Sequence, residues 1–102
     1  MKIRHEGNNL NVSELVELGL SNSGLFRSQI CAALPAGVKN IVIDLSATDF
    51  MDCGGLGALV ALNKTARNHD DAIAVHLVNP VPQVRQIFEL TRMDEIFGIR
   101  HG

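Results

Sequence analysis

The side chains best suited to chemistry are Cys31 and Cys53, the histidines His5, His69, His76 and His101, and the closely spaced Asp44, Asp49 and Asp52. A nucleophilic cysteine needs a depressed pKa and a base beside it. Cys53 has a source of the first, because it stands at a predicted helix start, where the dipole favours a thiolate. It lacks the second. His69 falls at the far end of that helix, about 22 Å away. His76 sits mid-strand, and His5 and His101 lie near the termini. No local spacing brings a base to Cys53, so no catalytic residue is assigned and the chain reads as a non-enzyme. Cys31, between Ile30 and Ala32, reads as a small buried hydrophobe.

Metal and cofactor chemistry find no better footing. Asp44, Asp49 and Asp52 fall on a strand, a loop and a cap, without the oxygen-ligand periodicity of a calcium loop. Two cysteines are too few for a structural zinc site or a disulfide framework. Gly54-Gly55-Leu56-Gly57 lacks the spacing and the Lys-Ser/Thr ending of a phosphate-cradling loop. No metal and no cofactor is assigned. Asp52 is expected to cap a helix and Asp49 to occupy a turn. The junction over 49–57 then offers free N–H donors and the positive end of a helix dipole, a place that suits added negative charge. It carries no hydroxyl, and the nearest are Ser46 and Thr48 upstream.

The surrounding elements follow from periodicity and punctuation. Residues 2–6 form an extended segment that breaks at Gly7-Asn8-Asn9 and returns as a hairpin through Leu10 and Val12, with Leu15-Val16 interrupting the alternation. Ser21-Asn22-Ser23 caps a helix over 23–34, with Leu25, Phe26, Ile30, Ala33 and Leu34 at helical spacing before Pro35. Residues 40–45 are a strand whose near-continuous hydrophobicity predicts burial on both faces between parallel neighbours. Asp44 is its exception, facing either loop backbone or solvent.

A second helix spans 54–68, with Leu56, Leu59, Val60, Asn63 and Ala66 on its apolar face. A strand at 73–78 completes a βαβ unit and should run parallel to 41–45. Pro82 opens a third helix with Val84, Ile87, Phe88 and Thr91 on one side. Residues 93–97 read as a short helical turn and 98–100 as a last extended piece. The reading is one α/β domain over residues 1–102.

Composition excludes several partners. The chain has 46% apolar and 20% charged residues and a net charge of −2, and its nine Lys and Arg are scattered, which disfavours nucleic acid. No Trp or Tyr is present to stack bases. No apolar run reaches membrane-spanning length and the polar opening lacks a signal-peptide core, so no membrane insertion is expected and a cytoplasmic location is the default.

Four stretches, Ile41–Ser46, Phe50–Leu59, Val75–Pro80 and Val84–Thr91, resemble in order and spacing the STAS domain of bacterial anti-sigma factor antagonists. The resemblance is good over 41–97 and looser before it. It implies an α/β STAS fold, a small mixed β-sheet packed with α-helices. It also implies a partner, an anti-sigma factor of the GHKL-type serine kinase class or a related regulatory protein, bound through a surface matching Asp49, Asp52, Cys53, Gly54, Gly55 and Leu56. In such antagonists the kinase phosphorylates a serine in an Asp-Ser-Ser-Gly motif and the complex breaks. Asp52 and Gly55 match the outer positions of that motif. Cys53 and Gly54 replace the serines, and Gly54 occupies the phosphosite, so phosphorylation there is chemically impossible.

Three readings follow. One is partner switching without phosphorylation at the usual site, Gly54 standing in for the unmodified serine. Another is service in a transporter-associated or stressosome-like assembly. The third makes Cys53 a redox switch, against the plainer view of it as a serine isostere. The first is adopted. It anticipates that Gly54→Glu weakens partner binding and leaves the fold largely intact. The oligomeric state is not indicated.

Overall fold

A computed structural model describes residues 1–33, 37–67 and 73–92, and the backbone of 98–100. The chain runs β1 (Lys2–Glu6), β2 (Asn9–Ser13), β3 (Glu17–Leu18), α1 (Ser23–Ala33), β4 (Asn40–Asp44), β5 (Phe50–Met51), α2 (Cys53–Arg67), β6 (Ala74–Val78), α3 (Pro82–Leu90) and β7 (Gly98–Arg100). The predicted turn at 93–97, residues 34 and 68 at the predicted helix ends, and His69 and His101 lie outside the described residues.

Five strands form one mixed sheet in the order β1-β2-β4-β6-β7. The β1–β2 hairpin is antiparallel, turning at Gly7 with φ of 60°, and every other pair is parallel. The expected parallel pairing of 41–45 with 73–78 is present, Ile41 opposite Val75 and Ile43 opposite Leu77. The interruption at Leu15-Val16 has a structural counterpart. β2 stops at Ser13, Glu14 takes a positive φ of 55°, and the chain leaves the sheet to form the separate two-stranded β3–β5 ladder.

The central strand departs from expectation. Ile41, Ile43 and Leu45 are fully buried, while Asn40, Val42 and Asp44 are only half-buried, so β4 is covered on one face and not on both. Polar neighbours explain the second face. Asn40 donates from Nδ2 to Asn9 Oδ1 at 3.0 Å, and its Oδ1 meets His76 Nε2 at 3.1 Å. That side chain ladder crosses three strands and makes the face polar. Asp44 accepts the Ser46 N–H at 2.9 Å, the loop-backbone option left open by the sequence.

One buried cluster joins the inner face of the sheet to the helices: Leu10, Val12, Ile41, Ile43, Val75 and Leu77 from strands, Phe26 and Ile30 from α1, Leu59 and Leu62 from α2, and Val84 and Phe88 from α3. Burying each such aliphatic or aromatic side chain contributes about 1.5–3 kcal/mol before entropy is set against it. Two helix faces are rotated from those predicted. On α2 the buried positions are Gly55, Ala58, Leu59, Leu62 and Ala66, while Val60 is exposed and Leu56 and Asn63 are half-buried. On α1 Phe26 and Ile30 are buried, but Leu25 is exposed. Cys31 is exposed as well. A residue adjacent to a buried Ile30 is turned by about 100° around the helix, which takes Cys31 out of the core it was assigned to.

Candidate functional site

A single residue, Asp52, separates β5 from α2. Its Oδ1 accepts the Gly55 N–H at 3.1 Å and its main-chain carbonyl accepts the Leu56 N–H at 3.0 Å, the bonding of an N-cap. Its other carboxylate oxygen, Oδ2, accepts the Leu20 N–H at 3.2 Å. One side chain therefore caps the helix and pins a loop 32 residues away in sequence. The Gly55 N–H first, then that of Leu20, with a smaller contribution from Gly54, hold the carboxyl below its ordinary value of 3.8, although partial loss of water pulls the other way. Asp52 is a carboxylate at neutral pH.

The loop it pins lies against bare backbone. A Cβ on Gly54 would stand 2.5 Å from Leu20 Cα and 2.7 Å from Leu20 N. A Cβ on Gly55 would overlap the Leu18 carbonyl oxygen outright. Gly54 is thus a packing position and not only a serine without its hydroxyl: any side chain there requires Leu20 to move. This corrects the expectation that Gly54→Glu leaves the fold largely intact. It also narrows the open approach expected at the helix start, since Leu20 lies across it. Asn22 fixes the loop from its other end. Its Nδ2 donates to the Glu17 carbonyl and its Oδ1 accepts the Gly19 N–H, both at 2.8 Å.

The structure brings the six predicted residues to one place. Asp49 and Cys53 are exposed, Asp52, Gly54 and Leu56 half-buried, and Gly55 buried. Of the two upstream hydroxyls, Thr48 is fully buried and donates to the Leu15 carbonyl, so it is out of reach of a kinase in the folded chain. Ser46 is exposed. The sequence reading missed the apolar surroundings. Leu20 is 78% exposed, Val16 60% and Phe50 50%. Phe50 pairs with Glu17 across the small ladder, and the Asp49 N–H donates to the Val16 carbonyl at 3.0 Å. The available signal was an apolar Leu20 wedged between Gly19 and Ser21-Asn22, where no helical or strand period calls for one.

His76 contributes to the polar ladder on the far side of the sheet, so it is no base for Cys53. Among the described residues no three His, Cys, Asp or Glu side chains converge as a metal site would require. No helix among them is long and apolar enough to cross a membrane.

The sequence pattern of the STAS domain matches residues 7–101. The chain belongs to the STAS domain family. Solved structures agree on the fold. A candidate anti-sigma factor antagonist from Thermotoga maritima superposes with a TM-score of 0.86 at 23% identity, over 97% of this chain and 84% of that one. The anti-sigma factor antagonist SpoIIAA in its unphosphorylated form gives a TM-score of 0.76 at 19% identity, over 99% and 86%. This STAS domain is also similar, with a TM-score of 0.71 and 23% identity, to a part of the murine anion transporter solute carrier 26 family member A9. That match covers 85% of this chain and 14% of the transporter.

Proposed function

We propose that the chain is a non-enzymatic interaction module, an anti-sigma factor antagonist that binds an anti-sigma factor of the GHKL-type serine kinase class through the turn at 49–56. Binding would release a sigma factor and so regulate transcription in the cytoplasm. The observation that carries the reading is the Asp52 junction, a helix start hydrogen-bonded to a distant loop and bordered by exposed Asp49, Phe50 and Cys53. Rigid positioning of an exposed turn lowers the ordering cost of docking, which is what a recognition surface needs. The fold-level likeness to anti-sigma factor antagonists supports the same assignment. Gly54 carries no hydroxyl, so the position matching the phosphosite would stay unphosphorylated.

The test is affinity capture of the tagged chain from its own source, followed by reconstitution with what is recovered. Recovery of a GHKL-type kinase or sigma-regulatory protein that binds directly supports the reading. Recovery of membrane transporter subunits alone favours a second reading, a transporter-associated STAS module, for which the match to the anion transporter speaks.

A further inference from the structure

Residues 14–22 and 46–54 contain Glu14, Glu17, Asp49 and Asp52 and not one Lys or Arg. The β3–β5 ladder, the Asp49-to-Val16 bond and the Asp52-to-Leu20 bond join these two segments into a single surface. Glu14, Glu17 and Asp49 are exposed on it, together with apolar Val16, Leu20 and Phe50. The Phe50 ring lies beside Gly19, the residue before Leu20: a Cβ on Gly19 would stand 3.0 Å from it. A groove of about 340 Å³ adjoins Val16 toward α1, its lining shared between Leu15, Val16, Leu25 and Phe26 and the polar Glu14, Glu17, Asn22 and Gln29, with Met1 beside them. Arg27 is the sole basic residue of α1 and is not part of that lining.

Resting on the docking reading above, the geometry points to the chemistry of the partner: a basic amphipathic helix of a protein, its apolar side chains seated on Leu20, Phe50 and the adjoining groove, its Lys and Arg facing Glu14, Glu17 and Asp49. Exposed apolar side chains interspersed with one sign of charge are read by the opposite charge around apolar anchors, the anchors giving affinity and the charges giving rate and selectivity. The acid rim repels an anionic membrane surface by the same rule. Leu20 is the central anchor because it is the most exposed apolar side chain of the patch and its backbone is fixed, by the Asp52 carboxylate on one side and by contact with Gly54 on the other.

The experiment titrates the nitrogen-15-labelled full chain with a designed amphipathic helical peptide carrying Leu on one face and Lys/Arg on the other, and in parallel with its Leu/Glu counterpart. The cationic peptide should shift amides within 14–29 and 49–54, progressively less as salt is raised, and the anionic one should not. Leu20→Ser should weaken the cationic peptide about tenfold or more. Leu20 is exposed, so that variant should keep the wild-type amide spectrum elsewhere. Glu14→Lys with Glu17→Lys should reverse the peptide preference. Equal response to both peptides, shifts confined to another face, or wild-type affinity in Leu20→Ser overturns the inference. So do concentration-dependent shifts of this surface without peptide, which would make its occupant a second copy of the chain. If a captured regulatory partner binds Leu20→Ser as tightly as wild type, the helix assignment falls and the anti-sigma reading stands. If the peptides behave as expected but no such partner is captured, the reverse holds.

Discussion

The chain turns from strand to helix at β5–α2 and again at β6–α3, and the two junctions are built from opposite chemistry. At β6–α3 the cap residue is Val81, no side chain bonds the helix start, and Pro82 sets the first turn. Nothing charged is needed, because proline supplies the dihedral and lacks an N–H. At β5–α2 the cap is a carboxylate, the first turn carries glycines, and a loop from the other half of the chain lies against them. The first arrangement is locally determined. The second depends on a tertiary contact, and its exposed edge holds acids and large apolar groups that the core does not use. Where a fold invests long-range contacts in an exposed turn, the turn itself is the part whose shape matters.

Substitutions should separate the two junctions. The largest effect is expected for Gly55→Ala, whose Cβ meets the Leu18 carbonyl oxygen. Urea denaturation should show a loss at or beyond the upper end of the 1–3 kcal/mol range of overpacking, about 3 kcal/mol. Gly54→Ser comes next. Its Cβ meets Leu20, so amide shifts should spread over 18–22, stability should fall by about 1–2 kcal/mol, and partner affinity should drop without any phosphate being added. Restoring the hydroxyl should therefore perturb the Leu20 loop before any phosphate is added.

Asp52→Ala should destabilise less than these and do so in a pH-dependent way. A carboxyl depressed in the folded state adds stability that is fully present above its ordinary value of 3.8 and is lost as pH falls through the lower folded value. The gap between wild type and variant in thermal melts should thus be open at pH 7 and close in acid. A gap independent of pH would remove the charged cap from the account. At the other junction Pro82→Ala should lose about 0.4–1 kcal/mol with no pH dependence over the same range, because only backbone entropy is involved. Cys53→Ser should do least, within about 0.5 kcal/mol and with partner affinity unchanged. Alkylation of Cys53 no faster than that of an unstructured thiol would leave no basis for a redox role.

The contrast between the junctions also shows what a sequence yields. β4, α2, β6 and α3 were legible because each announces itself within its own residues, by β-branched runs, helical spacing, or Pro and Asp at a helix start. Asp52 as a cap was legible for the same reason. The packing of residues 18–20 on Gly54 and Gly55 was not, because it joins residues more than thirty positions apart and leaves only glycines as a trace. Read alone, those glycines suggested an open approach; in the structure they are occupied by Leu20. Within the Ser21-Asn22-Ser23 cluster expected to cap α1, Asn22 takes the cap position, its carbonyl accepting the Phe26 N–H at 2.9 Å, while its side chain turns back to hold the Gly19 turn. Cys31 and the faces of α1 and α2 were misjudged because a step of one residue on a helix moves a side chain from core to water. Val42 and Asp44, between Ile41, Ile43 and Leu45, concealed a one-sided sheet behind an apolar run.

The most direct test of the central claim is hydrogen exchange on the wild-type chain, free and saturated with the regulatory partner recovered from its source. The expected result is new protection across residues 14–22 and 49–56, with α3 and the Asn9–Asn40–His76 face exchanging as before. Protection on α3 or that open face, with 14–22 and 49–56 unchanged, would contradict a docking surface at the start of α2.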